Sequence, residues 1–431
     1  MITKQIVGRF DKMKMEAKTF ERLSRQTAGA GRSVLHIVNG QYYAGAARVQ
    51  DLLALRLPEF GYNVSFACLL PGRFAQDRCA QQSPLYNLPM KHRLDFRPAG
   101  RIAELVRRNR IQLLHSHTTR SAMIAAAAAR LAKVPHVHHV HCQMNTEVGR
   151  TLRTRLNTII ERTAGNRADR LVAVSDSIRS FLNRSGFDRS PVAVVPNGVP
   201  IPDRIRPRRE AQDAWTIGMV ALLRERKGLE TLLHAFAHVV QEFNVRLRVV
   251  GPFESQPYRQ SMRALADQLC IQHAVDWVPF TRDVASEIRQ MDLLVLPSLL
   301  PEGLPMVLLE AMSAGVPIVG SRVDGVVDVI EHESNGLLAT PGNVQELAQQ
   351  LRRVLTAEVS WDDLRTAGLQ KFQQHFTDRV MARGIAQIYD DLVGGDSSPA
   401  ASAASTGKRL RPYVRSGQTS TDSTRSRTAS P

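Results

Sequence analysis

The run Met291-Asp292-Leu293-Leu294-Val295-Leu296-Pro297-Ser298, followed by Glu302-Gly303-Leu304-Pro305-Met306-Val307-Leu308-Leu309-Glu310-Ala311-Met312, decides how this chain is read. The first part is a short apolar run closed by Pro and Ser, which predicts a buried strand of a parallel sheet. The second opens on Gly and Pro and stays apolar, which predicts a helix with Pro305 at its first position, where the missing N–H was unpaired anyway. Ser313-Ala314-Gly315-Val316-Pro317 carries the Gly and Pro that stop it. The order is therefore strand, loop, helix. Gly303 permits close backbone approach, and the N–H groups of the first helical turn form a site for phosphate. Glu302 and Glu310 flank that site and would repel phosphate themselves. Their natural partners are hydroxyl donors such as a sugar and a ribose, met by Glu302 from the loop and by Glu310 from about two turns into the helix. A helix with one Glu near its start and another facing solvent has the same spacing, so the surrounding residues must decide.

A second junction of the same kind runs from Thr216 to Glu230. The apolar strand of Ile217 to Leu223 meets the basic loop Arg224-Glu225-Arg226-Lys227-Gly228, and a helical period covers Leu229 to Val240. Arg, Lys and Gly at such a junction suit a diphosphate, although a solvated charged turn has the same composition. Near the N-terminus, Ser33 to Gly40 predicts strand and turn, and Gly45-Ala46-Ala47-Arg48-Val49 opens a helix continuing through Leu52, Leu53 and Leu55. The spacing of Gly40 and Gly45 is not a dinucleotide fingerprint.

Histidines form a third cluster. Ile111 to His117 is a strand ending His115-Ser116-His117, and Val134 to Cys142 is a strand holding His136, His138, His139 and His141. Alternation puts His139 and His141 on one face and His136 and His138 on the other, so no four ligands converge and no metal is assigned. Most of these imidazoles are expected to be satisfied strand residues.

The Glu302-x7-Glu310 pattern resembles that of the retaining GT-B enzymes of glycosyltransferase family 4. The resemblance implies an α/β protein with two Rossmann-like, doubly wound domains facing a cleft. It implies a retaining, metal-independent transfer of a hexosyl or related sugar from a nucleoside diphosphate-sugar, a donor substrate rather than a cofactor. Glu302 would hold hydroxyls of the transferred sugar and Glu310 the ribose, with Gly303, Leu304, Pro305, Met306 and Val307 completing the donor turn. Lys227 matches the family's Lys-Gly pair, but Leu222 stands where an Arg is usual, so Arg224 or Arg226 must supply the second cation. The Gly45 loop is similar to a Gly-Gly-Ala-Glu-Arg loop facing the donor, with Ala44 and Ala47 in place of the first Gly and the Glu. His141 would hydrogen-bond the donor sugar, with His117 beside the cleft, so Glu302, His141 and Lys227 are the expected catalytic set. Asp276 to Thr281, with Phe280, resembles the nucleotide-base loop.

Further matches follow in family order. Asp169 to Asp176 is a strand with a helix cap, Val194 to Val199 an interdomain segment, Arg246 to Gly251 a strand ending in Gly, and Phe376 to Val393, with Tyr389, a helix returning to the first domain. The implied domains are 33–196 on the acceptor side and 197–375 on the nucleotide-sugar side, with the terminal helix at 376–393. The acceptor would be a glycan or lipid-linked molecule in cell-surface polysaccharide, lipopolysaccharide or glycolipid synthesis. A GT-B protein of other activity, such as a sugar-nucleotide epimerase, is the alternative enzyme.

Composition agrees with two domains: 431 residues exceed one ordinary domain. The four cysteines, Cys68, Cys79, Cys142 and Cys270, show no metal or disulfide spacing, which suits a reducing cytoplasm. Residues 1 to 32 are charged throughout, unlike a signal peptide, and the longest apolar run, Ala122 to Ala129, is far short of the ~18 residues of a membrane span. The net charge of +17 invites a nucleic-acid reading, but it is concentrated at the ends. Residues 1–32 hold eight Lys or Arg against three acids, and 394–431 hold six against two. No recognition motif or aromatic interleaving accompanies them, so no nucleic-acid partner is expected. Residues 394–431 predict a disordered basic tail. Ile2, Ile6, Phe10 and Met13 at helical spacing among lysines suit peripheral contact with the anionic inner face of a membrane.

Overall fold

The computed structural model describes residues 31–43, 45–92, 95–143, 162–207 and 214–394. The expected N-terminal amphipathic helix and basic tail lie outside them. Among the described residues, thirteen strands form two sheets. The first holds β1 Arg32–Val38, β2 Tyr62–Cys68, β3 Leu85–Asn87, β4 Leu113–Ser116, β5 His136–Val140, β6 Arg170–Ala173 and β7 Val192–Val194. Its order is β3-β2-β1-β4-β5-β6-β7. The second holds β8 Trp215–Val220, β9 Val245–Val250, β10 Val275–Val278, β11 Leu293–Leu296, β12 Ile318–Ser321 and β13 Leu337–Ala339, in the order β10-β9-β8-β11-β12-β13. Every pairing between these strands is parallel. Strands covered on both faces must be apolar throughout, which is why β11 reads Leu-Leu-Val-Leu and is wholly buried. This is the two-domain, doubly wound GT-B architecture.

The chain direction across each sheet reverses once, between β1 and β4 and between β8 and β11. Crevices outside the carboxyl ends of parallel strands at such switch points are where ligands bind. The Gly45 loop and His117 follow the first pair of strands, and Lys227 and Glu302 follow the second.

The helix after β11 runs Met306–Ala314 and ends at Gly315, as the sequence predicts. Two details differ. Pro305 is the N-cap in an extended conformation (φ −66°, ψ 114°), so the first helical residue is Met306. Glu310 is consequently little more than one turn into the helix, not two. The helix after the basic loop spans Leu229–Val239 and starts from Gly228, which has φ 71°. A Cβ there would lie 2.0 Å from the Pro297 carbonyl oxygen, so only glycine lets the loop after β8 press against the end of β11.

The terminal helix, Asp378–Val393, returns to the first sheet. Met381, Ala382, Ile385 and Tyr389 share a core with Val34, Leu53 and Tyr62, and Arg56 Nε donates to Asp378 Oδ2 at 2.7 Å. Another apolar cluster joins Val140, Leu171 and Ile178 of the first sheet region to Leu304, Leu308 and Val326 of the second, so the halves share buried surface beneath the cleft. The Ala122 to Ala129 run sits inside the helix Thr119–Ala132. No helix among the described residues is long and apolar enough to cross a membrane.

Candidate active site

Glu302 sits in the loop after β11 with its side chain 12% exposed. A carboxylate so enclosed needs charged or hydrogen-bonding partners, and it has them. Lys227 Nζ donates to Oε1 at 2.6 Å, Ser298 Oγ donates to the same oxygen at 2.7 Å, and Arg226 Nη2 lies 3.9 Å from Oε2. Arg226 also donates to the Pro301 carbonyl at 2.7 Å. Of the two candidate replacements for the cation missing at Leu222, Arg226 therefore stands beside Glu302, whereas Arg224 pairs with Glu254 at 3.7 Å. Leu222 itself is exposed.

Gly303 lies against the first domain. A Cβ on it would sit 1.7 Å from the carbonyl oxygen of His141. Ser175 Oγ donates to the Gly303 carbonyl at 3.0 Å, and Asn197 Nδ2 donates to that of Leu304 at 3.1 Å. Leu304 is buried, and Met306 packs against cores of both halves. The turn from Gly303 to Met306 is thus held between the domains. Val307 is half-buried, Phe280 is exposed after β10, and Gly45 caps the helix Ala46–Arg56 with φ 47°. Ala44 lies outside the described residues.

Glu310 meets a residue that the sequence did not single out. Arg48 Nη2 donates to Glu310 Oε1 at 2.5 Å across the cleft. Burial works against the Arg48 charge, and Glu310 outweighs it, holding the guanidinium's pKa above its ordinary value. A contact between positions 48 and 310 leaves no trace in local spacing, although Arg48 occupies the Arg position of the loop similar to Gly-Gly-Ala-Glu-Arg. Ser175 was legible as a helix cap, but its second bond to Gly303 was not.

The histidines depart most from expectation. His139 and His141 do share a face opposite His136 and His138, but adjacent strands bring more imidazoles to it. His36 and His115 are register partners on β1 and β4. His115 stacks on His117 at 4.1 Å between ring centres and on His139 at 5.5 Å, and His139 stacks on His141 at 4.4 Å. Tyr389 Oη bonds His36 Nε2 at 3.0 Å and His115 Nδ1 at 2.6 Å, and His117 Nδ1 bonds His141 Nε2 at 3.0 Å. On the other face Ser116 Oγ bonds His136 Nε2 at 2.8 Å and His138 Nδ1 at 2.9 Å. The expectation of satisfied strand histidines holds only in part, since each of these rings but His139 has one bonded nitrogen. One nitrogen of each of His36, His115, His117, His136, His138 and His141, and both of His139, are buried with no partner among the described residues. Each such group costs about 1–3 kcal/mol. Burial keeps the rings neutral: it lowers His36, His136 and His141 to about 3 and His138 to about 4, and holds His115, His117 and His139 well below the ordinary 6.5.

The site therefore offers two cation-paired carboxylates and a helix N-terminus from one domain, opposite a loop, an arginine and imidazoles from the other. Comparison with known proteins places the chain in a family. Residues 43–201 match the family model described as Glycosyltransferase Family 4, and residues 201–371 that of Glycosyl transferases group 1. An uncharacterized glycosyltransferase of Haemophilus influenzae is 26% identical over 322 residues, covering 73% of this chain and 88% of the relative. A putative colanic acid biosynthesis glycosyltransferase of Escherichia coli is 26% identical over 241 residues, 52% of this chain and 57% of its own. The crystal structure of Anabaena HepE in complex with UDP-glucose superposes with a TM-score of 0.73 at 21% identity, covering 84% of this chain and all of that one. With the two family models meeting at residue 201, the chain belongs to glycosyltransferase family 4.

Proposed function

We infer that the protein transfers a sugar, with retention at the anomeric carbon, from a nucleoside diphosphate-sugar to a hydroxyl of a glycan or lipid-linked acceptor in the synthesis of a cell-surface polysaccharide or glycolipid. The observation that carries this is the placement of Glu302 and Glu310 at the second switch point, each paired with a cation that a donor can displace. Hydroxyls of the transferred sugar take Glu302, and ribose hydroxyls take Glu310 in place of Arg48. Lys227 and Arg226 then face the diphosphate together with the free N–H groups at the start of the helix Met306–Ala314. Negative charge grows on the diphosphate as the glycosidic bond breaks, and fixed cations stabilise that change more than they stabilise the bound donor. Those cations can do what a metal would, so transfer should survive chelator. His141, beside Gly303, borders the donor sugar. The colanic acid relative supports a polysaccharide acceptor, and HepE bound to UDP-glucose puts uridine donors first.

Thermal shift with UDP-, GDP- and ADP-sugars tests donor binding, since a ligand at a hundred times its dissociation constant stabilises by about 2.7 kcal/mol. NMR of the product then fixes the anomeric configuration. Nucleoside diphosphate released only when acceptor is present supports transfer, whereas conversion of the sugar nucleotide without acceptor supports the epimerase reading. The basic N-terminus is assigned to peripheral contact with the cytoplasmic leaflet. Deleting residues 1–32 should weaken sedimentation with anionic vesicles more than deleting 394–431, with activity on a soluble acceptor retained in both.

A further inference from the structure

The imidazole cluster at the first switch point is more than the transfer reaction uses. His117, His139 and His141 each present a ring nitrogen, and the three nitrogens lie within 4.8 Å of one another. His117 and His139 are 2% and 0% exposed, whereas His141, just beyond β5, is half-buried. Both nitrogens of His139 lack any partner among the described residues, as do His117 Nε2 and His141 Nδ1. A protein that buries a polar atom normally satisfies it, and three neutral imidazoles facing one another, each with one ring lone pair, can offer those lone pairs to one Lewis acid. We propose that His117, His139 and His141 form a three-imidazole site for a first-row transition ion of the zinc class.

The donor set fixes the chemistry. Three imidazole nitrogens suit zinc, cobalt, nickel or copper and not the hard ions magnesium or calcium, which require oxygens. Zn–N bonds of about 2.0–2.1 Å place tetrahedral ligands within the observed spread. Zinc held by three protein ligands keeps a fourth position open to water or another ligand. A second triad, His36, His115 and His117, also lies within 4.8 Å, but Tyr389 already bonds His36 and His115, so it is the poorer site. The bond from His117 Nδ1 to His141 Nε2 must rearrange if either of those atoms ligates.

The test uses the full chain, free of any histidine tag, stripped with EDTA and then titrated with Co2+ and Zn2+. The expected result is one Co2+ per chain with the visible bands of nitrogen-rich tetrahedral coordination, displaced by one Zn2+ and untouched by excess Mg2+. His139→Asn and His141→Asn should each weaken Co2+ binding at least ~100-fold, more than outer-shell changes do, while His36→Asn leaves it unchanged. Absence of the bands overturns the proposal, as does binding that survives His139→Asn. Loss in His36→Asn with retention in His141→Asn overturns it in favour of the deeper triad. Should His139→Asn fail to fold by circular dichroism, the wild-type spectrum and the His141→Asn and His36→Asn titrations decide, because His141 lies at the strand end, outside the core.

Discussion

The two switch points have the same topology and opposite chemistry. After β8 and β11 the functional groups are charged, and each carboxylate has a cation within hydrogen-bond distance: Glu302 has Lys227 and Glu310 has Arg48. On and just beyond β1, β4 and β5 the clustered groups are imidazoles, and many of their nitrogens have no partner among the described residues. The difference follows from what burial does to each group. A carboxylate that stays ionised in a closed cleft needs a countercharge, whereas an imidazole can shed its proton and be buried neutral at the smaller cost of an unmade hydrogen bond. On the proposed function the donor side works by exchange, each internal cation giving way to a substrate hydroxyl, and the imidazole side holds ring nitrogens with no partner among the described residues.

The largest effect should come from Lys227→Ala. Removing a fixed cation from a developing charge costs about 10²–10³ in kcat, roughly 3–4 kcal/mol. It also leaves Glu302 with Ser298 and a distant Arg226. The double variant Lys227→Ala/Glu302→Gln separates the two roles. If Lys227 only neutralises Glu302, the double variant is no slower than Glu302→Gln alone; if it serves the diphosphate, the losses compound. Glu310→Ala comes next. Ribose hydroxyls would lose a charged acceptor worth about 1.5–3 kcal/mol, measurable as weaker calorimetric binding of free nucleoside diphosphate. Unchanged affinity would end the ribose assignment.

The neutral side is tested by acid. His136 has a folded pKa of about 3 because burial disfavours its cation, with His138 a smaller cause. Its ring is packed with Ser116 and His138, and its backbone N–H donates to Asp169 Oδ2. A folded value below the unfolded 6.5 means that the unfolded chain takes up a proton which the folded chain refuses. The stability is complete above pH 6.5 and is lost as pH falls from there toward 3. Lowering pH from 6.5 to 5.5 should cost about 1 kcal/mol through this residue alone. Urea unfolding of His136→Asn, whose amide can still bond Ser116, should show a correspondingly shallower pH dependence. Identical slopes in variant and wild type would mean that His136 titrates normally.

Much of the donor side was legible because it is built from local order. An apolar strand, a glycine turn and an apolar helix are consecutive in sequence, so β11, the loop at Gly303 and the helix to Ala314 could be placed from residues 291–317. The N-cap conformation of Pro305 was missed because both positions tolerate a residue without an N–H. Arg48 was missed because its partner is 262 positions away. The imidazole face failed for a related reason. Alternation along β5 was correct, but it describes one strand, and the face is assembled from β1, β4 and β5 through a parallel register that spacing does not encode. Tyr389 joins it only because the terminal helix returns to the first sheet.

The smallest effect concerns Arg48. If its bond to Glu310 competes with ribose, Arg48→Ala should tighten binding of free nucleoside diphosphate, because the donor then displaces no internal partner. Glu310 is 12% exposed but Arg48 is 32% exposed, so solvent screens the pair and its worth falls in the range of partly exposed salt bridges, up to about 1 kcal/mol. The gain should therefore be at most about five-fold, and it should shrink as salt rises. Glu310→Gln provides the contrast, since it breaks the same ion pair yet removes the charged acceptor. The two variants should move nucleotide affinity in opposite directions. Weaker binding in Arg48→Ala would instead assign Arg48 to the phosphates, making it a third cation of the donor site, supplied by the opposite domain.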